Sequence, residues 1–187
     1  SPLKSDKIKE KFAKVALPKA AELKDFIKEN GNHVIGSYTI EQVYSGMKGM
    51  VGMVTETSKL DPEEGIRFRG YSIPELREQL PKATGDSEPL PEGIFYLMLM
   101  GELPTEDDVL QVSNIWARRS NVPKFVFDML DSLPLNLHPM TQFSMAIMAL
   151  QKESVFAAAY RKGLSKKEYW DPMYEDVMNL RPTVDSG

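Results

Sequence analysis

The chain has 187 residues, of which 42% are hydrophobic and 27% charged, a composition typical of a globular domain. Because it contains no cysteine, a disulfide scaffold, a zinc-thiolate site and a thiol nucleophile are excluded. The net charge of −4 argues against a general nucleic-acid binder, and the longest mostly apolar stretch, residues 94–100, is too short to span a membrane.

Residues 1–35 predict an N-terminal helical arm that lies on the outside of a larger body. Ser5 is suited to cap a first helix, whose apolar residues follow at helical spacing. Pro18 fits the first turn of a second helix, and Gly31 is a typical helix stop. We therefore expect two consecutive helices that are apolar on one face and polar on the other.

Residues 36–71 predict short β-strands joined by turns. The segment is rich in glycine, which supplies the positive φ angles of tight turns, and it contains the β-compatible pieces SYTI, VGMVTET and IRFRG. In DPEEG, Gly65 is expected to return the chain into a strand at Ile66–Phe68.

Residues 72–180 predict a helical body. Ser72 with Glu75, and Ser165 with Glu168, each match the S-x-x-E capping box. Further helix starts are predicted at Pro91, Thr105 (with Asp108), Pro123, Pro139 (after a His138 cap) and Ser154. The remaining residues, 181–187, read as a polar tail in which Pro182 is expected to break the last helix.

The predicted fold class is therefore mainly α, with a small β element near the N-terminus. Two helices, near residues 92–100 and 140–150, are apolar nearly all round, so a single buried face cannot satisfy them. Either both are central in the core, or they are buried on both sides, by the core and by a second subunit.

Candidate acid–base and metal-binding residues are few. Of the two histidines, His33 follows a helix stop and reads as a turn residue, and His138 reads as a helix cap. Their separate contexts offer no metal-binding spacing. The acidic pairs at residues 63–64 and 107–108 read as turn and helix-start acids rather than as a catalytic pair.

Two arginines and two tryptophans are expected to have structural roles. Arg67 and Arg69 alternate around Phe68, so a strand would place both on one face. They could clamp a carboxylate, but ion pairs with Glu63, Glu64 or Glu75 are the simpler expectation. The tryptophans, Trp116 and Trp170, are predicted to be buried anchors.

Four separated motifs carry a resemblance to a known family. They are LDPEEGIRFRGYSI at Leu60–Ile73, PLPEGIFYLMLMGELPT at Pro89–Thr105, HPMTQFSMAIMAL at His138–Leu150, and the KEYW…YEDVMNL segment that ends at Leu180. In this order and spacing they resemble citrate synthase of the mitochondrial type. The likeness runs from Leu3 to Leu180, and it implies the N-terminal part of that family's helical large domain.

The resemblance implies a reaction between acetyl-CoA and oxaloacetate that gives citrate and CoA. In the family an aspartate removes a proton from the acetyl methyl group, one histidine stabilises the enol and another protonates the oxaloacetate carbonyl. Those groups lie in the family's later half. No catalytic residue is therefore assigned in this sequence, and the chain alone is expected to be inactive. No permanently bound cofactor is implied, because CoA and acetyl-CoA act as substrates.

Two lysines occupy positions where the family places phosphate-facing arginines. Lys48, in YSGMKGM, and Lys166, in GLSKKEYW, are implied to face the phosphates of CoA. Lysine keeps the positive charge but lacks the bidentate fork of arginine. The alternative for each is an ordinary solvated surface lysine.

The resemblance also implies a homodimer that pairs through the helices near residues 92–100 and 140–150, and a location in the mitochondrial matrix. The N-terminal segment is basic but carries Asp6 and Glu10 and no arginine, unlike transit peptides. We therefore expect it to be a mature start or an expression boundary. The alternative function is a non-catalytic interaction module that pairs through its apolar helices.

Overall fold

The computed structural model describes residues 6–185, with side chains through residue 180. The chain divides into two compact units, the first ending at Val109 and the second beginning at Leu110. The predicted cap Ser5 lies outside the described residues. Asp6 caps the first helix instead, since its carboxylate accepts a hydrogen bond of 3.0 Å from the Lys9 N–H.

The N-terminal arm is one helix, α1 (Lys7–Asn30), rather than the two that were predicted. Pro18 lies inside it. The strong helix formers on both sides of Pro18 explain why the helix continues, because they outweigh the hydrogen bond that proline cannot donate. The predicted stop at Gly31 is confirmed, and glycine is required there because a Cβ at this position would lie 2.5 Å from the Ile27 carbonyl oxygen.

The glycine-rich segment contains a helix where a strand was predicted. The SYTI piece enters α2 (Ile40–Tyr44), because Thr39 and Gln42 form a reciprocal capping box at its start. The VGMVTET piece also forms no strand between residues 50 and 57. The β-propensity of these pieces is overridden, since no neighbouring strand is available to pair with them.

The small sheet has three antiparallel strands in chain order: β1 (Ser58–Asp61), β2 (Gly65–Phe68) and β3 (Tyr71–Ser72). The β1–β2 hairpin pairs Leu60 with Ile66, and Gly65 makes the predicted turn with a φ of 86°. The strand prediction is therefore confirmed for IRF and its turn.

Three helices complete the first unit and lead into the second: α3 (Ile73–Gln79), α4 (Pro91–Met100) and α5 (Glu106–Arg119). The capping box of α3 and the start of α4 at Pro91 are confirmed, and Gly101 ends α4 with a φ of 83°. The hydrophobic core joins α3 to α4 through Leu76, Leu80 and Leu97, with Phe68, Tyr71, Ile94 and Leu103 packed around them.

The described residues of the second unit form helices joined by turns and loops, and no strand. After α5 it contains α6 (Lys124–Asp131), α7 (Pro139–Ala149), a 3-10 turn (Leu150–Glu153), α8 (Val155–Arg161), a second 3-10 turn (Lys166–Glu168) and α9 (Trp170–Asp185). The predicted helix start at Ser154 is confirmed, with Ser154 as the cap of α8, and so is the predicted capping box of Ser165. The predicted break at Pro182 is wrong, because α9 continues to Asp185. The buried Tyr174 and Met178 hold the preceding turns of this helix.

The two apolar helices differ in their burial. In α4, Gly93, Tyr96, Leu97 and Met100 are buried inside the first unit. In α7 no residue is buried, and Met148 keeps 75% of its surface exposed. Helix α4 therefore lies in the core of its unit, whereas α7 does not lie in the core of its own unit.

None of the described helices combines the length and apolar character that a bilayer span requires. The fold class predicted from the sequence, mainly α with a small β element, is confirmed. The predicted segment boundaries at residues 35, 71 and 180 stay predictions.

Candidate functional site

Lys48 lies at the tip of a tight loop that folds back on α2. The loop is built from left-handed residues, with φ of 74° at Gly46, 64° at Met47 and 70° at Gly49. Gln42 holds it: its carbonyl accepts from the Met47 N–H at 2.9 Å, and its side-chain amide donates to the Lys48 carbonyl at 3.4 Å.

The geometry of this loop leaves the Lys48 ammonium in solvent. The side chain is exposed and forms no ion pair with a carboxylate among the residues that the structure describes. Met47 is notable because non-glycine residues rarely adopt a positive φ, and such positions are enriched at functional sites. The loop therefore presents one cation beside two glycines.

Lys166 begins the 3-10 turn that precedes α9. Ser165 and Glu168 close a capping box around it: the Ser165 hydroxyl contacts the Glu168 carboxylate, and the Ser165 N–H donates to it at 3.2 Å. These two hydrogen bonds, first the hydroxyl and then the N–H, lower the pKa of Glu168. The Lys166 side chain is exposed.

Lys48 belongs to the first unit and Lys166 to the second. Each is an exposed cation on a turn with a defined backbone, which is compatible with attraction of a phosphate and also with a solvated surface lysine. Their assignment as phosphate-facing residues stays a prediction.

Neither histidine lies in an acid–base site. The His33 N–H donates to the Asn30 carbonyl at 2.9 Å, in a turn after α1. The predicted cap at His138 is confirmed, because its Nδ1 accepts from the Met140 N–H at 3.1 Å. Both side chains are exposed, and the described part of the chain holds no group of three His, Asp or Glu residues that could bind a metal.

The two arginines do not share a strand face. Arg67 forms the expected ion pairs, with Glu64 at 3.0 Å and Glu75 at 3.4 Å. Arg69 lies beyond the end of β2 with a φ of 50°, so the prediction that strand geometry aligns the two is wrong. Its guanidinium instead donates to the Met98 carbonyl through Nε at 3.2 Å and Nη2 at 2.6 Å.

The acidic pairs act in turns and helix starts, as predicted. The N–H groups of Glu63 and Glu64 donate to the Asp61 carboxylate at 2.9 and 3.1 Å, which closes the β1–β2 turn. At the start of α5, Asp108 accepts from the Thr105 hydroxyl at 2.8 Å and from its N–H at 3.1 Å. Of the tryptophans, Trp116 is buried, whereas Trp170 is only partly buried.

A charged cluster that the sequence did not reveal surrounds Asp108. This carboxylate is only 4% exposed and also accepts a hydrogen bond from the Lys11 ammonium of α1. The same ammonium donates to the Tyr96 hydroxyl at 3.4 Å. Burial raises the pKa of Asp108, but the bonds from Lys11 and Thr105 outweigh it and leave this pKa below its usual value. Lys11 and Asp108 are 97 positions apart in the sequence, so no local sequence pattern predicts their contact.

An open cavity of about 560 Å³ lies in the second unit. Its polar lining includes Arg119, which pairs with Glu175 at 2.6 Å, and Asp176. The Asp176 carboxylate accepts from the Ser154 hydroxyl at 2.6 Å and from the N–H groups of Val155 and Phe156 at 2.7 and 3.2 Å. These hydrogen bonds stabilise the start of α8, so the polar side chains that line the cavity have a structural role.

Comparison with known families decides the relationship of the chain. The family model described as "Citrate synthase, C-terminal domain" matches residues 46–184, which is most of the sequence. The chain belongs to the citrate synthase family.

Curated relatives agree with this family. The chain is 54% identical over 173 residues to the mitochondrial citrate synthase of Saccharomyces cerevisiae, covering 92% of the chain and 36% of that protein. It is 53% identical to the mitochondrial citrate synthase of Xiphias gladius and 51% identical to the mitochondrial 2-methylcitrate synthase of Yarrowia lipolytica. Each of these two matches covers 94% of the chain and 38% of the relative.

The chain therefore spans little more than a third of the length of the relatives that it matches. The resemblance inferred from the four motifs is confirmed. The alternative of a non-catalytic interaction module receives no support from these matches.

Proposed function

We propose that this chain is part of a citrate synthase that condenses acetyl-CoA with oxaloacetate to give citrate and CoA. The observation that carries the proposal is the 54% identity, over 92% of the chain, to the mitochondrial citrate synthase of Saccharomyces cerevisiae. The names of the relatives support a mitochondrial location for the whole enzyme. CoA takes part as a substrate, and no resident cofactor is proposed.

In this proposal the described residues supply scaffold and phosphate attraction, and the proton transfers belong to residues outside this sequence. His33 and His138 are exposed, and neither contacts a carboxylate in the described part of the chain. Proton abstraction from a methyl group requires a positioned base together with stabilisation of the oxyanion that develops. The surroundings of the two histidines supply neither.

A chimeric enzyme tests the proposal directly. The aligned segment of this chain replaces its counterpart in the Saccharomyces cerevisiae relative, and release of the CoA thiol is followed with acetyl-CoA and oxaloacetate. We expect turnover that requires both substrates, and no turnover from the 187-residue chain alone. A folded chimera that releases no thiol would contradict the proposed function. Turnover by the isolated chain would contradict the placement of the acid–base groups outside it.

The same chimera tests the two lysines. Replacing Lys48 or Lys166 by glutamine removes one exposed charge, so we expect each change to raise the KM for acetyl-CoA about three- to tenfold. The KM for oxaloacetate and the kcat should change little, because the interaction is remote from the reacting carbon. Lys59→Gln, an exposed charge change on β1, is the matched control. Equal KM values in the parent chimera and in both variants would assign the lysines to the solvated surface.

We further propose that the enzyme is a homodimer and that α7 contributes to the pairing surface. The helix α7 is apolar nearly all round, yet its large side chains are exposed: Met140 keeps 61% of its surface exposed, Phe143 43% and Met148 75%. Exposed apolar patches of this kind mark interaction surfaces, and methionine side chains adapt to a partner. α4 is the second helix of this proposal, with its partly buried residues available for contact.

Charge substitution on α7 tests the pairing surface. Met140 and Met148 lie eight positions apart, on the same side of the helix. In the chimeric enzyme, the double variant Met140→Glu/Met148→Glu is expected to shift the dimer to monomer in sedimentation velocity, since two carboxylates would be desolvated in each copy. Leu135→Glu introduces the same charge at a fully exposed site outside α7 and should leave the dimer intact. Dimers that survive the double change would exclude α7 from the interface.

A further inference from the structure

The connection between α8 and α9 presents an exposed serine between a glycine turn and the second 3-10 turn. Gly163 ends the helical run with a φ of 88°, and Ser165 follows with φ −78° and ψ 153°. The Ser165 side chain is exposed, and its hydroxyl contacts the carboxylate of Glu168. The Ser165 hydroxyl is therefore accessible to a modifying enzyme from solvent.

The charge around this serine is strongly positive. Four basic residues lie within seven positions: Arg161, Lys162, Lys166 and Lys167. All four side chains are exposed, and none forms an ion pair with a carboxylate in the part of the chain that the structure describes. Two of them, Arg161 and Lys162, precede the serine by four and three positions. Basic residues placed there are recognised by kinases whose substrate groove is acidic.

We propose that Ser165 is a phosphorylation site for a protein kinase that selects basic segments, and that the phosphate weakens binding of CoA near Lys166. The second half of this statement rests on the proposed function. In the transfer, the Ser165 oxygen forms a bond to the γ-phosphorus of a nucleoside triphosphate while the bond to the departing nucleoside diphosphate breaks. The hydroxyl proton leaves to the kinase's base, and nothing is oxidised or reduced.

The added phosphate reverses the local electrostatics. The unmodified hydroxyl donates to Glu168, whereas a phosphate carries only acceptor oxygens and about two negative charges, so it repels this carboxylate. The neighbouring lysines offset that repulsion by pairing with the phosphate. Lys166 is then occupied by an anion within the same chain and attracts the phosphates of CoA less strongly.

The chain contains an internal comparison. Ser120 follows Arg118 and Arg119 directly, but it is half-buried at the end of α5 and its hydroxyl donates to the Ala117 carbonyl at 3.0 Å. Arg119 is engaged with Glu175. A folded chain should therefore accept phosphate at Ser165 in preference to Ser120.

The first experiment incubates the folded 187-residue chain with MgATP and the catalytic domain of a basic-selective kinase. Intact mass and fragment spectra then locate the phosphate. We expect one phosphate at Ser165, none in Ser165→Ala, and at least about tenfold slower transfer in Arg161→Gln/Lys162→Gln, which loses two recognition charges. Ser165→Thr keeps an acceptor and should be modified. Phosphate at Ser120, or no transfer to the folded chain while a denatured chain is modified, would overturn the site.

The second experiment measures binding of CoA by equilibrium dialysis before and after stoichiometric phosphorylation. We expect the modified chain to bind CoA up to about fivefold more weakly, which is the value of one exposed charge pair. Equal binding by both forms would overturn the regulatory effect and leave the modification site. Failure of the unmodified chain to bind CoA would count against the proposed role of the lysines, and the first experiment is independent of that result.

Discussion

Replacing Leu97 by alanine is expected to lower the free energy of unfolding by about 2–5 kcal/mol. The Leu97 side chain is 0% exposed, and it joins α4 to Leu76 and Leu80 at the centre of the first unit. Truncation removes buried methyl groups and leaves a cavity that neighbouring helices fill only in part. Urea unfolding monitored by circular dichroism measures the change.

A leucine outside the core provides the control for this prediction. Leu60 on β1 is 75% exposed, so Leu60→Ala should change the free energy of unfolding by no more than about 0.5 kcal/mol. If the two substitutions had equal effects, the cluster of α3 and α4 would not be the core of this unit.

Replacing Asp108 by asparagine is expected to destabilise the chain by about 1–3 kcal/mol at neutral pH, because it removes the negative charge that faces Lys11 and one of the two oxygens that accept from Lys11 and Thr105. The pKa of Asp108 is held below its usual value in the folded chain. The stabilisation is therefore present above the unfolded-state pKa and is lost as the pH falls through the folded-state pKa. The native chain should lose more stability on acidification than Asp108→Asn does.

Urea titrations at pH 7 and at about pH 3, near the ordinary range of aspartate, would measure this difference. Glu106→Gln removes the same charge from the exposed side of the first turn of α5 and should cost little at either pH. A gap between the native chain and Asp108→Asn that persists unchanged at acid pH would rule out the ionised carboxylate as the source of stability.

Much of the helical architecture is predictable because its signals are local. The capping boxes of Ser72 and Ser165, the His138 cap and the glycine at residue 101 each involve residues within a few positions of one another. The fold class follows from the same signals together with the spacing of apolar residues.

The wrong predictions of secondary structure fall where tertiary contacts or a weaker local signal determine the backbone conformation. The SYTI piece has β-propensity, but a T-x-x-Q cap turns it into α2. Arg69 leaves the strand because it forms, with Gly70, the two-residue turn between β2 and β3, with φ of 50° and 90°, and its guanidinium then donates to the Met98 carbonyl, 29 positions away. Pro18 and Pro182 lie inside helices, although a proline in a helix interior costs about 3 kcal/mol, so the remaining residues of α1 and α9 stabilise these helices by more than that amount.

The candidate site shows the same division. The turns that contain Lys48 and Lys166 can be predicted from their glycine and serine residues. The cluster of Lys11, Tyr96 and Asp108 cannot be predicted from the sequence. Contacts across 85 and 97 positions leave no periodic trace in a single sequence.

The carboxylate of Asp176 has a consequence for the segment that separates α8 from α9. The Asp176 side chain of α9 accepts three hydrogen bonds from the first residues of α8, so the two helices are joined at the end of α8 that lies away from this segment. A change of charge within residues 162–169 therefore leaves this link between α8 and α9 in place.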